Sequence, residues 1–477
     1  MIRIRSISGF FFIFLSGLIL AAALASSAAA SPLQPYHHEI LMSSGLRLGT
    51  LCLGCLLPLL CRGFFLKVSV FFSERKNKNL ILAVSVIGID FLARLTTPQI
   101  AFGKGLLGLG YGHDGTVYGW MTEHFAWFKH SVQPPFNGRI LMPWLVHVSG
   151  LSTFSGYGLF NGLFYFANAW LVFQLMRFYK ASEGVCSAAV ILFCLVRFYE
   201  KFSVYYPVLT DMAGVFFLLA GINAALRGKP FLFALTLTLG VLCRENILVL
   251  IPFFLICVCK ADACKITRLK AAGFTLIPLL LFGVLRMHPV FQPSGSSSET
   301  DPLSFLAGYF QEPRRFLAFG LAHANTLGLI FFLPLFRFRQ SLEFLRKHPE
   351  WLYYGTATVF LSLAGGMDYD RFAVWQAPLG LVLMASMAQS FSSVFWVMAV
   401  WIQFLITELW NPWFPDEMFY LSRYSWFPHS QMLERIFSLP HSFDYQAAAG
   451  LFFLFALAAS ILPMWTVFQS KNEGKAG

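Results

Sequence analysis

KPFLFALTLTLGVLCRENILVLIPFFLICVC, residues 229–259, is one apolar run broken once, at Arg244 and Glu245. As a single membrane-crossing helix it would hold two charges near its centre, each costing about 2.5–3.5 kcal/mol even on the lenient insertion scale. Two short helices with the charged pair in the turn between them avoid that cost. The run therefore predicts a hairpin that lifts Arg244 and Glu245 to one side of a membrane. Lys260, Lys265, Arg268 and Lys270, which follow, mark the other side.

The rest of the chain has the same character. Of its 477 residues, 57% are hydrophobic and 12% charged, against about 25% charged in an ordinary soluble domain; the mean hydropathy is +0.64. The expected fold class is all-α, a polytopic membrane protein. A net charge of +12 would suggest nucleic acid in a soluble protein, but here the positives lie in short tracts between apolar segments, as topology signals do. No nucleic-acid partner is expected. The nine cysteines lie mostly in apolar runs, and the C-x-x-C at Cys52 and Cys55 has no histidines or further paired cysteines near it, so these read as buried thiols. Neither G-x-x-x-x-G-K-[ST] nor G-x-G-x-x-G occurs, which leaves nucleotide-driven transport without support.

Residues 1–30 carry Arg3 and Arg5, an apolar core and a small-residue tail, and fit either a first spanning helix or a cleavable signal peptide. Further spans are expected over residues 47–71, 80–97, 157–177, 184–198, 211–227, the two halves of 229–259, 271–286, 323–336, 351–366, 372–390, 393–410 and 448–468. That makes about 14 transmembrane helices, or 13 with the first cleaved. Basic tracts at Arg75–Lys78, Arg177–Lys180, Arg227–Lys229, Lys260–Lys270 and Arg337–Lys347 set the cytoplasmic side. The division is an N-terminal signal or anchor and extra span over 1–79, then one membrane domain over 80–477.

GYGHDGTVYGWMTEHFAWFKHSVQPPFNGRILMP, residues 110–143, then falls outside the cytoplasm. Val117, Trp120, Met121, His124, Phe125 and Phe128 recur at helical spacing and predict an amphipathic helix in the interface plane; a second interfacial helix is expected from Arg139. The same side receives Glu200 with Lys201, Asp211, Arg244 with Glu245, and Asp368 and Asp370 with Arg371. Such charges are ordinarily local ion pairs or snorkelling head groups. Basic residues on the non-cytoplasmic side run against the positive-inside rule, however, and an anionic ligand explains them most simply.

The order of a span, the glycine-flanked HDGTVY loop, an interfacial helix and NGRILMPWL resembles the first extracytoplasmic loop of GT-C fold membrane glycosyltransferases. The resemblance continues through PVLTDMAGVFFLLAG at Asp211, LTLGVLCRENILVLIPFF and MDYDRFAVWQAPLGL, covering about residues 80–390. The family's commoner Asp-Glu or Glu-x-Asp pattern is absent from the loop.

The resemblance implies an enzyme of mannosyltransferase-like architecture that transfers a sugar from a polyprenyl-phosphate-linked donor to an extracytoplasmic acceptor: lipid, glycan or protein. It implies membrane lipids as surroundings, and a bacterial cytoplasmic membrane with the site facing the periplasm. A poorly nucleophilic hydroxyl needs a carboxylate to take its proton, and the leaving phosphate needs fixed cations. Asp114 is the expected catalytic base, and Arg139, Arg244 and Arg371 are the phosphate candidates, with Asp211, Glu245 and Asp368 completing the substrate site. Single displacement would invert the anomeric carbon. No cofactor is expected: His37, His38, His113, His124 and His130 match no common metal cluster, and a divalent metal is the lesser alternative. From other classes, a transporter or flippase would need polar residues at mid-membrane and usually a repeat. An inactive scaffold of the same fold would not need these charges to converge.

Overall fold

The computed structural model describes residues 78–96, 113–125, 132, 136–196, 199–260, 265–287, 310, 314–364, 369–388, 391–405 and 407. The expected spans at 1–30, 47–71 and 448–468, the C-x-x-C, Asp368 and the loop at 411–447 lie outside these residues. Among the described residues every regular element is a helix. In order they are α1 Lys78–Thr96, α2 His113–Glu123, α3 Leu141–Ser149, α4 Thr153–Phe178, α5 Glu183–Cys194, α6 Glu200–Tyr205, α7 Asp211–Leu226, α8 Pro230–Val241 and α9 Leu250–Lys260. There follow α10 Lys265–Met287, α11 Arg314–Leu327, α12 Leu329–Phe336, α13 Phe338–Lys347, α14 Pro349–Ala364, α15 Tyr369–Ala373, α16 Ala377–Met387 and α17 Ser393–Phe404.

Local chemistry sets several of these boundaries. Ser152 and Ser182 cap α4 and α5, their side chains accepting from the Ser155 and Val185 backbone N–H groups. Pro230 opens α8 at a position where its missing N–H would have no helical partner. The expected break at Arg244 is present: α8 ends, Arg244 is extended, and Glu245–Val249 forms a 3-10 turn that leads into α9. A second break divides the expected span at 323–336. Gly328 takes φ 54° between α11 and α12, and the freed Leu329 N–H donates to Gln403 Oε1 at 2.9 Å.

α7 is the centre of the bundle, packed against α4, α8 and α9. Its connections run alternately to two ends. At one end lie the turns after α4, α7 and α9 and the start of α14, with Arg227 donating to Gln174 and Lys260 donating to the Lys347 carbonyl and to Glu350. Arg227, Lys260 and Lys347, from three of the sequence's basic tracts, lie at this end. At the other end lie the starts of α2 and α7, the Arg244–Glu245 turn, and α15.

Thr153–Phe178 and Arg268–Leu285 are long and apolar enough to cross a membrane. Their outward faces are apolar: Leu163 and Trp170 on α4, and Leu280 and Val284 on α10, are exposed. Other expected spans prove shorter, with α5 and α8 at 12 residues each and α7 at 16, against the roughly 20 that a bilayer core demands of a straight helix. α2 packs one face into the bundle, with Tyr118 and Met121 fully buried, and leaves Glu123 and His124 exposed.

Candidate functional site

Two acids open helices at the site end. Asp114 lies in the first turn of α2 and Asp211 in the first turn of α7, where the helix dipole favours negative charge. Arg371, on the short α15, reaches both. Its Nη1 donates to Asp114 Oδ2 at 2.9 Å, while Nη2 and Nε donate to Asp211 Oδ2 and Oδ1 at 3.0 and 3.3 Å. Its guanidinium also lies 5.3 Å over the Phe202 ring.

Arg244 also approaches Asp211, Nη2 standing 2.6 Å from Oδ1. The approach is a close ion pair, and the buried Nε of Arg244 has no hydrogen-bond acceptor among the described residues. Gly214, one turn into α7, makes room for this arginine, since a Cβ there would stand 3.3 Å from Arg244 Cδ.

The neighbouring pair ties Tyr118 of α2 and the start of α3 to the end of α8. Arg139 donates from Nε and Nη2 to the two oxygens of Glu245, at 3.1 and 2.9 Å, and from Nη1 to the Tyr118 hydroxyl at 3.2 Å. The Leu141 N–H donates to the Leu242 carbonyl at 3.0 Å, so backbone and side chain dock together on the end of α8. Burial alone would raise the Glu245 carboxyl, but the Arg139 charge and its hydrogen bonds outweigh it and hold the group down at about 2. Burial likewise works to lower Arg139, and Tyr118 and Glu245 outweigh it, raising the guanidinium above its ordinary value.

Tyr118 joins the two halves. Its hydroxyl also receives Thr210 Oγ1 at 3.5 Å, next to Asp211. Six of the seven residues expected in the site, Asp114, Arg139, Asp211, Arg244, Glu245 and Arg371, thus form one contiguous network. The seventh, Asp368, lies outside the described residues. Glu200 and Lys201 do not join it: they are buried on the far face of α6, Lys201 donating to the Thr407 carbonyl and Glu200 lying against Asp90 and Arg94 of α1. His147 bonds the Thr122 carbonyl at 2.8 Å, and His124 stacks on Trp120. Among the described residues no group of three His, Cys, Asp or Glu side chains is placed to hold a metal ion.

The three carboxylates differ in what they have left to offer. Both oxygens of Asp211 and both of Glu245 are taken by arginines. Asp114 gives Oδ2 to Arg371, and its Oδ1 has no partner among the described residues. It is also the most exposed of the three, with 28% of its side chain accessible against 19% for Asp211 and 21% for Glu245. A carboxylate fixed through one oxygen and open at the other can accept a proton in a defined direction. A buried arginine held by one carboxylate still carries a charge that can draw an anion.

Tyr118 and Thr210 were absent from the expected site. Tyr118 had a visible signal, standing four residues after Asp114 and so on the same helix face. Comparison of the chain with models of known protein families, with curated proteins and with solved structures finds no match.

Proposed function

We propose that the protein is a multi-pass membrane glycosyltransferase with a GT-C-like arrangement, using a polyprenyl-phosphate-linked sugar at the non-cytoplasmic face of a bacterial cytoplasmic membrane. The reading rests above all on Asp114, whose Oδ1 has no partner among the described residues, standing beside Arg371 at the end of the bundle away from Arg227 and Lys260. That opposition is the arrangement a membrane's charge rule produces when the site faces outward. Apolar outward faces on α4 and α10 agree with lipid around them.

In this reading Asp114 Oδ1 takes the proton of the acceptor hydroxyl while its oxygen attacks the anomeric carbon. The new carbon–oxygen bond forms as the bond to the phosphate oxygen breaks, and the electron pair leaves with the lipid phosphate. Arg244 and Arg371, both already at Asp211, steady that charge in a partly dehydrated site. Arg139 is fully engaged by Glu245 and Tyr118 and acts by holding the loop. One displacement inverts the anomeric configuration.

The deciding experiment is sugar transfer by the purified protein in nanodiscs, offered a panel of polyprenyl-phosphate sugars. A deletion strain should accumulate the unused lipid-linked donor. Absence of transfer from every donor, with no lipid-linked sugar accumulating, overturns the reading.

A further inference from the structure

α13, FRQSLEFLRK, lies at the end of the bundle that holds Arg227 and Lys260, between α12 and α14 and packed also on α16. The chain breaks at Arg337 (φ −109°, ψ 38°), so α13 does not continue α12. Ser341 is buried and its hydroxyl donates to the Pro334 carbonyl at 2.8 Å, which ties α13 back to α12. Leu342, Phe344 and Leu345 are half-buried on that face. The other face is polar and exposed, made of Arg339, Gln340, Glu343, Arg346 and Lys347.

The cations at this end differ in what holds them. Arg227 donates to Gln174, Lys260 donates to Glu350, and the Arg337 guanidinium lies 5.4 Å over the Phe391 ring. Arg339, Arg346 and Lys347 make no ion pair among the described residues, although Glu343 lies one helical turn from Arg339 and from Lys347. Beside them Leu335, Phe336 and Phe338 are exposed.

The level of α13 along the bundle is set by α4, which is long enough to cross a membrane and ends at Phe178. Phe344 of α13 meets Tyr179, the next residue, edge to face at 5.8 Å between ring centres. α13 therefore lies where a bilayer around α4 would end. Exposed phenylalanines beside uncompensated cations are poorly served by water there, whereas the headgroup region takes both: rings enter the acyl boundary and cations meet phosphates.

We propose that α13 is a docking surface for the anionic lipid headgroups of the cytoplasmic leaflet, bound by Arg339, Arg346 and Lys347, with Phe336 and Phe338 in the acyl boundary. The proposal rests on the membrane part of the reading above and not on sugar transfer.

The test takes the full-length protein in neutral detergent, titrates it with phosphatidylglycerol or phosphatidylcholine, and counts bound lipid by native mass spectrometry. The wild type should prefer phosphatidylglycerol. Replacing all three cations together, Arg339→Gln, Arg346→Gln and Lys347→Gln, should weaken phosphatidylglycerol binding by about 5-fold per cation, roughly 100-fold in all, and leave phosphatidylcholine binding alone. Added salt should narrow the difference. The three side chains are exposed, so the melting temperature without lipid should not change; if it falls, Arg339→Gln alone decides the matter, at about 5-fold. Equal phosphatidylglycerol binding by wild type and variants, or no preference over phosphatidylcholine, overturns the assignment. Capture of soluble poly-glutamate without that lipid preference overturns it in favour of an acidic protein partner. A wild type that stays monodisperse in buffer without detergent removes the membrane reading instead.

Discussion

Arg371 and Asp114 stand 257 positions apart in the chain and 2.9 Å apart in space, Nη1 donating to Oδ2. The same guanidinium spans both oxygens of Asp211. No lysine can reproduce that, because an ammonium on a flexible stem is one point and the three acceptor oxygens are spread over two carboxylates. Arg371→Lys should therefore lower kcat/KM for the donor by about 10- to 100-fold, the order of one charge-assisted hydrogen bond. Donor-concentration kinetics measure it. Equal values for the two proteins would take Arg371 out of the site.

The Arg139–Glu245 pair predicts a dependence on acid. Glu245 is held at about 2 against an ordinary 4.5, so its carboxylate binds fewer protons folded than unfolded. Its contribution is fully present above about pH 4.5 and fades as pH falls toward 2. Glu245→Gln should lose about 3 kcal/mol at neutral pH, the low end for breaking a buried pair because Glu245 keeps some exposure, and its melting temperature should fall less than the wild type's on acidification through that window. Thermal unfolding in detergent across pH 3–7 reads both. Parallel acid limbs in the two proteins would mean that the pair contributes nothing to stability.

Gly380 provides a test of the packing away from the site. A Cβ there would stand 2.7 Å from the backbone carbonyl oxygen of Ile330, where α12 and α16 cross. A backbone oxygen inside a helix cannot swing aside, so Gly380→Ala should cost about 1–3 kcal/mol. The lower melting temperature should come with near-normal transfer per folded molecule. An unchanged melting temperature would place the two helices further apart than described.

Hydropathy and the cost of charge made the break at Arg244 and the gathering of Asp114, Asp211, Arg244, Glu245 and Arg371 at one end of the bundle legible, because both follow from local composition. The face of α2 was not legible on the same grounds. Apolar spacing selected Val117, Trp120, Met121, His124, Phe125 and Phe128; of these Met121 is buried, while Tyr118 and Thr122, which it passed over, are buried too and Asp114 meets Arg371. A face that meets arginines is chosen by charge and hydrogen bonding, which an apolar count ignores. Asn161 and Asn168 were invisible for a related reason: inside a long apolar run an amide shows no period, and its role is set by partners on α7 and the preceding loop. α13, read as a basic cytoplasmic stretch, is a helix that sets Ser341 against the bundle and Arg346 and Lys347 in its last turn, so basic residues that mark sidedness can also belong to an element. Glu200 and Lys201 pointed the other way because the short α6 has two faces, one toward Arg371 through Phe202 and one toward α1.

The enzyme reading depends most on Asp114. Asp114→Asn keeps nearly the same size, and its amide oxygen can still accept from Arg371 Nη1 in place of Oδ2. The amide cannot take a proton at neutral pH, so the variant should insert and fold normally while losing most transfer. General-base assistance is worth about 10²- to 10⁴-fold, roughly 3–5 kcal/mol of barrier. A merely structural Asp114, serving to position Arg371, predicts the reverse: a lower melting temperature with near-normal activity per folded molecule. The two proteins should be purified in detergent, compared by thermal unfolding, and assayed for transfer from the donor that the wild type uses. If Asp114→Asn retains more than about a tenth of wild-type turnover, outside that range, Asp114 is not the base. Asp211 could not readily replace it, since both its oxygens are held by arginines, and the search would pass to Asp368.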